Sequence, residues 1–116
     1  MQLPEKSEII RVYIGEADRR HGVPLHEAIV QEARTRGMAG ATVLRGIMGF
    51  GANSRIHTSH ILRLSEDLPV VVEIVDRPDR IEAFLPWLDE AVRDGLIVIE
   101  EVRVVRYRHR SGEGAR

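Results

Sequence analysis

The chain contains no cysteine among its 116 residues. Disulfides, thiol nucleophiles and cysteine-based zinc sites are therefore excluded. Aromatic residues are scarce at 4%, with a single tryptophan. Charge of one sign is also lacking, since 17 basic and 18 acidic residues leave a formal net charge of −1. A nucleic-acid binder normally carries a basic stripe to neutralise phosphates, so this balance argues against such a partner. No apolar run approaches the roughly 20 residues that span a bilayer. The start, Met1-Gln2-Leu3-Pro4-Glu5-Lys6, lacks the apolar stretch of a signal peptide. The expectation is a cytoplasmic protein without membrane insertion.

What is present suits one domain. The length matches a single hydrophobic core, and 43% apolar residues suffice to fill it. Residues 8–15 alternate, with Ile10, Val12 and Ile14 on one face and Ile9, Arg11 and Tyr13 on the other, the period of a strand. Residues 16–23 are polar, with Gly22 as a turn signal. Pro24 suits a first helical position, Leu25, Ala28, Ile29 and Ala33 follow helical spacing, and Gly37 supplies a stop. A short β-branched stretch follows from Gly40. It enters a glycine-rich, polar excursion over 49–60, and long loops of this kind tend to carry function.

Residues 68–75 form the clearest strand, with Val70, Val72 and Ile74 on one face and Val71 and Val75 on the other. Apolar residues on both faces demand cover on both. A second helix over 79–93 carries the stripe Ile81, Phe84, Leu85, Leu88 and Val92, with Pro86 expected to kink or weaken one turn. Asp94-Gly95 ends it. A last β segment over 96–107 is expected to bulge or bend at Glu100-Glu101, where the apolar alternation breaks. The ordered core is placed at about 8–107, with 108–116 as a mobile tail.

The order is βαββαβ, an α+β ferredoxin-like sandwich whose antiparallel four-stranded sheet carries two helices on one face. The opposite face is apolar too and should meet another subunit.

Gly37-Met38-Ala39-Gly40-Ala41-Thr42-Val43, followed by Gly49-Phe50-Gly51, resembles the segment leading into the flexible loop of PII nitrogen-regulatory proteins. Tyr13-Ile14-Gly15-Glu16, Leu44 to Gly51, Ser54 to Thr58 and Leu62 to Pro69 are similar to the uncharacterised PII-like family called domain of unknown function 190. This resemblance implies a homotrimeric signalling protein. It would bind a small anionic ligand, with adenine nucleotide the leading candidate, in clefts between subunits. Through the 49–60 loop it would engage a target protein, for which a membrane transporter or channel is the implied class. By position, Thr42 and Val43 would lie beside an adenine. Gly49, Phe50 and Gly51 would bring backbone N–H groups to phosphate, and Arg106 and Arg108 resemble the phosphate-gripping pair near the PII C-terminus.

Departures from PII are equally plain. Arg93-Asp94-Gly95 is too short for the PII phosphate loop, the 50–60 segment holds no tyrosine, and Ala52-Asn53 follow Gly51 where PII has a glutamine. Sensing of ATP and 2-oxoglutarate in the PII manner is not expected.

Read from chemistry alone, Gly49-Phe50-Gly51-Ala52-Asn53-Ser54-Arg55 suits an anion nest, or equally a loop whose glycines permit positive φ. His57 and His60, with Glu66 or Asp67, hint at a metal, but two imidazoles do not complete a shell. A metal-handling trimer like the CutA proteins is thus one alternative, and a small nucleotide hydrolase another. Ser54 or Ser59 beside His57 lacks an orienting acid, so no catalytic constellation is assigned and an enzyme is not expected.

Overall fold

In the computed structural model, which describes residues 2–51 and 67–108, the elements run in the expected order with one addition. Strand β1 (Lys6–Gly15) is followed by a small hairpin of β2 (Arg19–Arg20) and β3 (Val23–Pro24), then helix α1 (Leu25–Thr35) and strand β4 (Ala41–Arg45). Strand β5 (Pro69–Asp76), helix α2 (Pro78–Ala91) and strand β6 (Leu96–Arg103) complete it. The sheet order is β4-β5-β1-β6, and all pairs are antiparallel.

Registers decide which side chains share a face. Val43, Val72, Val12 and Ile97 form one row across the sheet, and Ala41, Ile74, Ile10 and Ile99 the next. Both rows face the helices. Ile10, Val12, Ile14, Val70, Val72 and Ile74 meet Leu25, Ile29 and Ala33 of α1 and Ile81, Phe84, Leu88 and Ala91 of α2 in one core. Full burial of each such aliphatic or aromatic side chain stabilises by about 1.5–3 kcal/mol.

The opposite face carries Leu44, Val71, Tyr13 and Leu96 in a row, with Leu44 48% and Leu96 55% exposed. At its centre Arg11 donates to Glu73 at 3.1 Å and to Glu100 at 2.8 Å. These hydrogen bonds, Glu100 first and Glu73 second, hold the Arg11 guanidinium above its ordinary range.

The expected bulge at Glu100-Glu101 is absent. Pairing between β1 and β6 is one-to-one from Lys6–Arg103 to Tyr13–Leu96. Glu100 breaks the apolar pattern because it answers Arg11 across the sheet. The last strand also ends at Arg103, short of 107. From there the chain crosses the end of the sheet, held by Val104 N–H donating to the Glu5 carbonyl and by the Tyr107 hydroxyl donating to the Ala39 carbonyl at 2.7 Å.

The β2–β3 hairpin was not anticipated. Its turn is His21-Gly22, both at positive φ (50° and 81°), the geometry of a tight hairpin turn whose twist matches its strands. Arg20 fixes it to α2, donating to Glu90 at 3.1 Å and lying 5.2 Å over the Trp87 ring. Trp87 in turn stacks on Phe84 at 5.6 Å, so it belongs to the edge of the core.

Pro24 stands as the N-cap of α1, one place before the first helical residue. The helix stops as expected at Gly37 (φ 70°), where Gly37 N–H bonds the Arg34 carbonyl and Met38 N–H the Ala33 carbonyl, a Schellman closure. Helix α2 continues through Pro86 to Ala91, and Pro86 has no N–H to offer the Glu82 carbonyl.

Candidate functional site

Two concavities hold most of the described residues singled out for ligand binding. The first, about 420 Å3, sits at the end of the sheet where β1 begins. Thr42, Glu73 and Val75 of the open face form its floor, and the crossing segment supplies Val104, Arg106 and Tyr107. Thr42 is there because β4 pairs it with Glu73. Arg106 is there because the Tyr107 hydroxyl ties the segment to Ala39, and the Ala39 N–H is itself held by buried Asp76 at 2.9 Å. The Glu73 carboxylate is engaged by Arg11 through one oxygen, which offsets its charge beside any anion. A guanidinium, a hydroxyl and an apolar wall on one concavity suit a polar ring bearing an anionic group.

The second, about 340 Å3, lies at the other end of the strands. Gly49, Phe50 and Gly51 line it with Tyr13, Leu96 and Pro69. Three carboxylates, Asp18, Asp67 and Asp94, are also on its wall. Asp18 accepts from Gly15 N–H at 3.0 Å, and Asp67 accepts from Ala17 N–H at 2.8 Å. Gly46 N–H donates to the Pro69 carbonyl at 2.7 Å, which sets the start of the loop against β5. Gly95 admits no side chain, since a Cβ there would lie 2.7 Å from the Tyr13 carbonyl oxygen.

The structure thus brings Thr42 and Arg106 together and Gly49, Phe50 and Gly51 together, at opposite ends of β4. Val43 lies on the helix side of β4, 37% exposed, and Arg108 is exposed and lines neither concavity. Asn53, Ser54, Arg55, His57 and His60 lie outside the described residues. Among the described residues no group of three His, Asp or Glu is arranged to hold a metal ion. Arg45 pairs with Glu16 of its own chain.

Sequence reasoning missed Glu73, Tyr107, Asp18 and Asp94, and considered Asp67 only as a metal ligand beside His57 and His60. Only the cross-strand register could have found Glu73, and the aspartates come from three separate turns with no shared spacing.

An α+β fold with a four-stranded antiparallel sheet and two helices on one face is the ferredoxin-like class, and solved structures of a PII-like protein share it. The protein is similar to CPII from Thiomonas intermedia K12 bound to ADP and bicarbonate, with TM-score 0.56, 15% identity, and coverage of 87% of this chain and 90% of that one. A second structure of CPII, bound to ADP, AMP and acetate, matches with TM-score 0.54 and 14% identity over 91% of this chain and 94% of that one. The chain belongs to the family domain of unknown function 190, described as an uncharacterized ACR, which matches residues 7–104. It is 35% identical over 100 residues to a UPF0166 protein of Aquifex aeolicus (strain VF5), covering 86% of this chain and 94% of that protein. A UPF0166 protein of Methanocaldococcus jannaschii is likewise 35% identical over 102 residues, covering 87% and 94%.

Proposed function

We propose that the protein is a PII-like regulatory homotrimer of the cytoplasm that binds a small anionic ligand, adenine nucleotide first, at clefts between subunits. Ligand binding shifts the 49–60 loop, which engages a target protein; a membrane transporter or channel is the class the family resemblance suggests. No bond is made or broken in this reading. A ligand needs only different affinities for two loop states.

The observation that carries it is the convergence of Thr42 and Arg106 on one concavity, beside the open sheet face. The loop glycines lie at the far end of the same edge strand, with Gly49 and Gly51 in a separate concavity. A ligand in contact with both groups would run along β4, where the described residues leave it uncovered and a neighbouring subunit would close over it. Both similar CPII structures hold ADP together with a small carboxylate or bicarbonate, which matches the ligand class inferred here.

Calorimetric titration with AMP, ADP, ATP and cyclic nucleotides tests the reading. Binding of one nucleotide at micromolar concentration is expected. If none binds below millimolar, the nucleotide reading fails.

A further inference from the structure

The chain that carries the 49–60 loop leaves β4 through residues 45–51 and returns to β5 through residues 67–69. Both stems are fastened to the turn that follows β1. The Arg45 guanidinium pairs with the Glu16 carboxylate. Glu16 N–H donates to the Leu68 carbonyl at 2.8 Å, and Ala17 N–H donates to the Asp67 carboxylate at 2.8 Å. The stems also meet each other. Gly46 N–H donates to the Pro69 carbonyl at 2.7 Å, and Gly46 and Gly49 lie so near the Pro69 ring that a Cβ on them would come within 2.9 Å and 3.2 Å of its Cγ.

One of these contacts is seated by the lack of a side chain. A Cβ on Gly15 would lie 2.6 Å from Asp67 Oδ1 and 2.8 Å from Oδ2, so the carboxylate rests directly on the Gly15 backbone. Gly15 is not among the glycines at positive φ, so its backbone does not require glycine. The space it leaves serves the carboxylate. The turn beneath is closed without Asp67. Gly15 N–H donates to the Asp18 carboxylate at 3.0 Å, Asp18 N–H to the Gly15 carbonyl at 3.1 Å, and Leu25 N–H to the Asp18 carbonyl at 2.8 Å. The turn is therefore a fixed seat, and Asp67, an exposed residue, is the part that can leave it.

Asp67 also lines the concavity of about 340 Å3, together with Gly15, Asp18, Gly49 and Gly51. A molecule filling that space stands against the seat, the carboxylate and the entry stem at once. To an anionic group, a seated Asp67 presents a like charge on the wall, so occupancy and seating oppose each other.

We propose that Asp67 is a latch: seated on Gly15 and Ala17 it fixes the stems of the loop, and an anionic ligand in the concavity favours its release. By linkage, opening the latch raises affinity for the anion by the same factor as the anion favours opening. This device rests on the ligand-driven loop of the proposed function and names the residue that controls it.

Two substitutions open the latch by different routes. Gly15→Ala puts a methyl where the carboxylate sits, and Asp67→Ala removes the carboxylate. Asp67→Asn keeps an oxygen for the Ala17 N–H. In both alanine variants, amide exchange of Glu16, Ala17 and Gly46 followed by NMR is expected to quicken about fivefold, the scale of one net hydrogen bond. Val12 and Val72 should exchange as in wild type, and Asp67→Asn should leave the turn protected. Unchanged exchange in both alanine variants would overturn the latch. Quickening that spreads to Val12 and Val72 would also overturn it, by making Asp67 a prop of the whole sheet. Calorimetry with ADP reads the ligand's part, and both alanine variants are expected to bind at least about fivefold more tightly than wild type. Equal or weaker binding would overturn the ligand's control of the latch. If ADP and the other nucleotides fail to bind wild type, the nucleotide reading falls, while the exchange rates still decide whether Asp67 holds the stems.

Discussion

The Tyr107 hydroxyl donates to the Ala39 main-chain carbonyl at 2.7 Å, tying the segment after β6 to the residue that leads into β4. The strands they adjoin, β6 and β4, are the two outer strands of the sheet. Tyr107→Phe removes only this hydrogen bond. It is expected to cost about 0.5–1.5 kcal/mol of stability. It should also speed amide exchange in residues 104–108 while leaving β1 and β5 protected. Equal protection of 104–108 in wild type and variant would show that the tie does not hold the segment.

Arg106 reaches its concavity only through that crossing. Arg106→Ala is expected to weaken nucleotide binding by about 1.5–3 kcal/mol, the scale of a charge-assisted hydrogen bond. That is roughly a ten- to hundredfold rise in Kd. Arg106→Lys should also weaken it, because lysine lacks the planar fork. Calorimetry decides, and variants that bind as tightly as wild type would move the ligand elsewhere.

Gly95 and Gly40 make a paired test of close approach. A Cβ at Gly95 meets the Tyr13 carbonyl oxygen at 2.7 Å and a Val92 methyl at 3.0 Å, whereas one at Gly40 meets nothing within 4 Å. Gly95→Ala should destabilise by about 1–3 kcal/mol through overpacking. Gly40→Ala should be neutral or slightly stabilising through the unfolded chain. Thermal melts of both variants check the contrast.

The Asp79 carboxyl is held below its ordinary range, first by the hydrogen bond from Arg77, which donates to it at 2.6 Å and 3.0 Å. A carboxyl depressed in the folded state adds stability that is complete above its unfolded value. That stability is lost as pH falls through the folded value. Melting temperature should therefore fall as pH drops below about 4, and the fall should be shallower in Asp79→Asn. The pair is exposed, so the difference will be small. An acid limb unchanged by the substitution would remove Asp79 from it.

Strands β1 and β5 were legible because an alternating run of branched residues has few other uses, and Val70, Val72 and Ile74 lie inward as their period requires. The hairpin was not legible, since strands of two residues have no period; only His21-Gly22 marked it. Glu100 misled for the opposite reason. A charge inside an apolar strand has the same pattern whether it bulges out or pairs across the sheet, and only the position of Arg11 on the neighbouring strand separates the two. At the site, Thr42 and Arg106 came from resemblance. Their meeting depends on Tyr107, which the sequence presented as one more strand residue. Glu73 reaches one concavity through register, and Asp18, Asp67 and Asp94 come together in the other through turns, long-range geometry with no local signature.

Pro86 leaves one gap in the hydrogen-bond ladder of α2, at the Glu82 carbonyl, and so divides the helix into a first and a second half. The two halves are also anchored differently. Ile81 and Phe84 are fixed in the core by the first half, while Leu88 and Ala91 are held by the second, next to the bend into β6. Heat or denaturant should thus reach the final turns first, so the helix melts from one end like a zip, and the strand that follows loses its anchor before the sheet itself gives way.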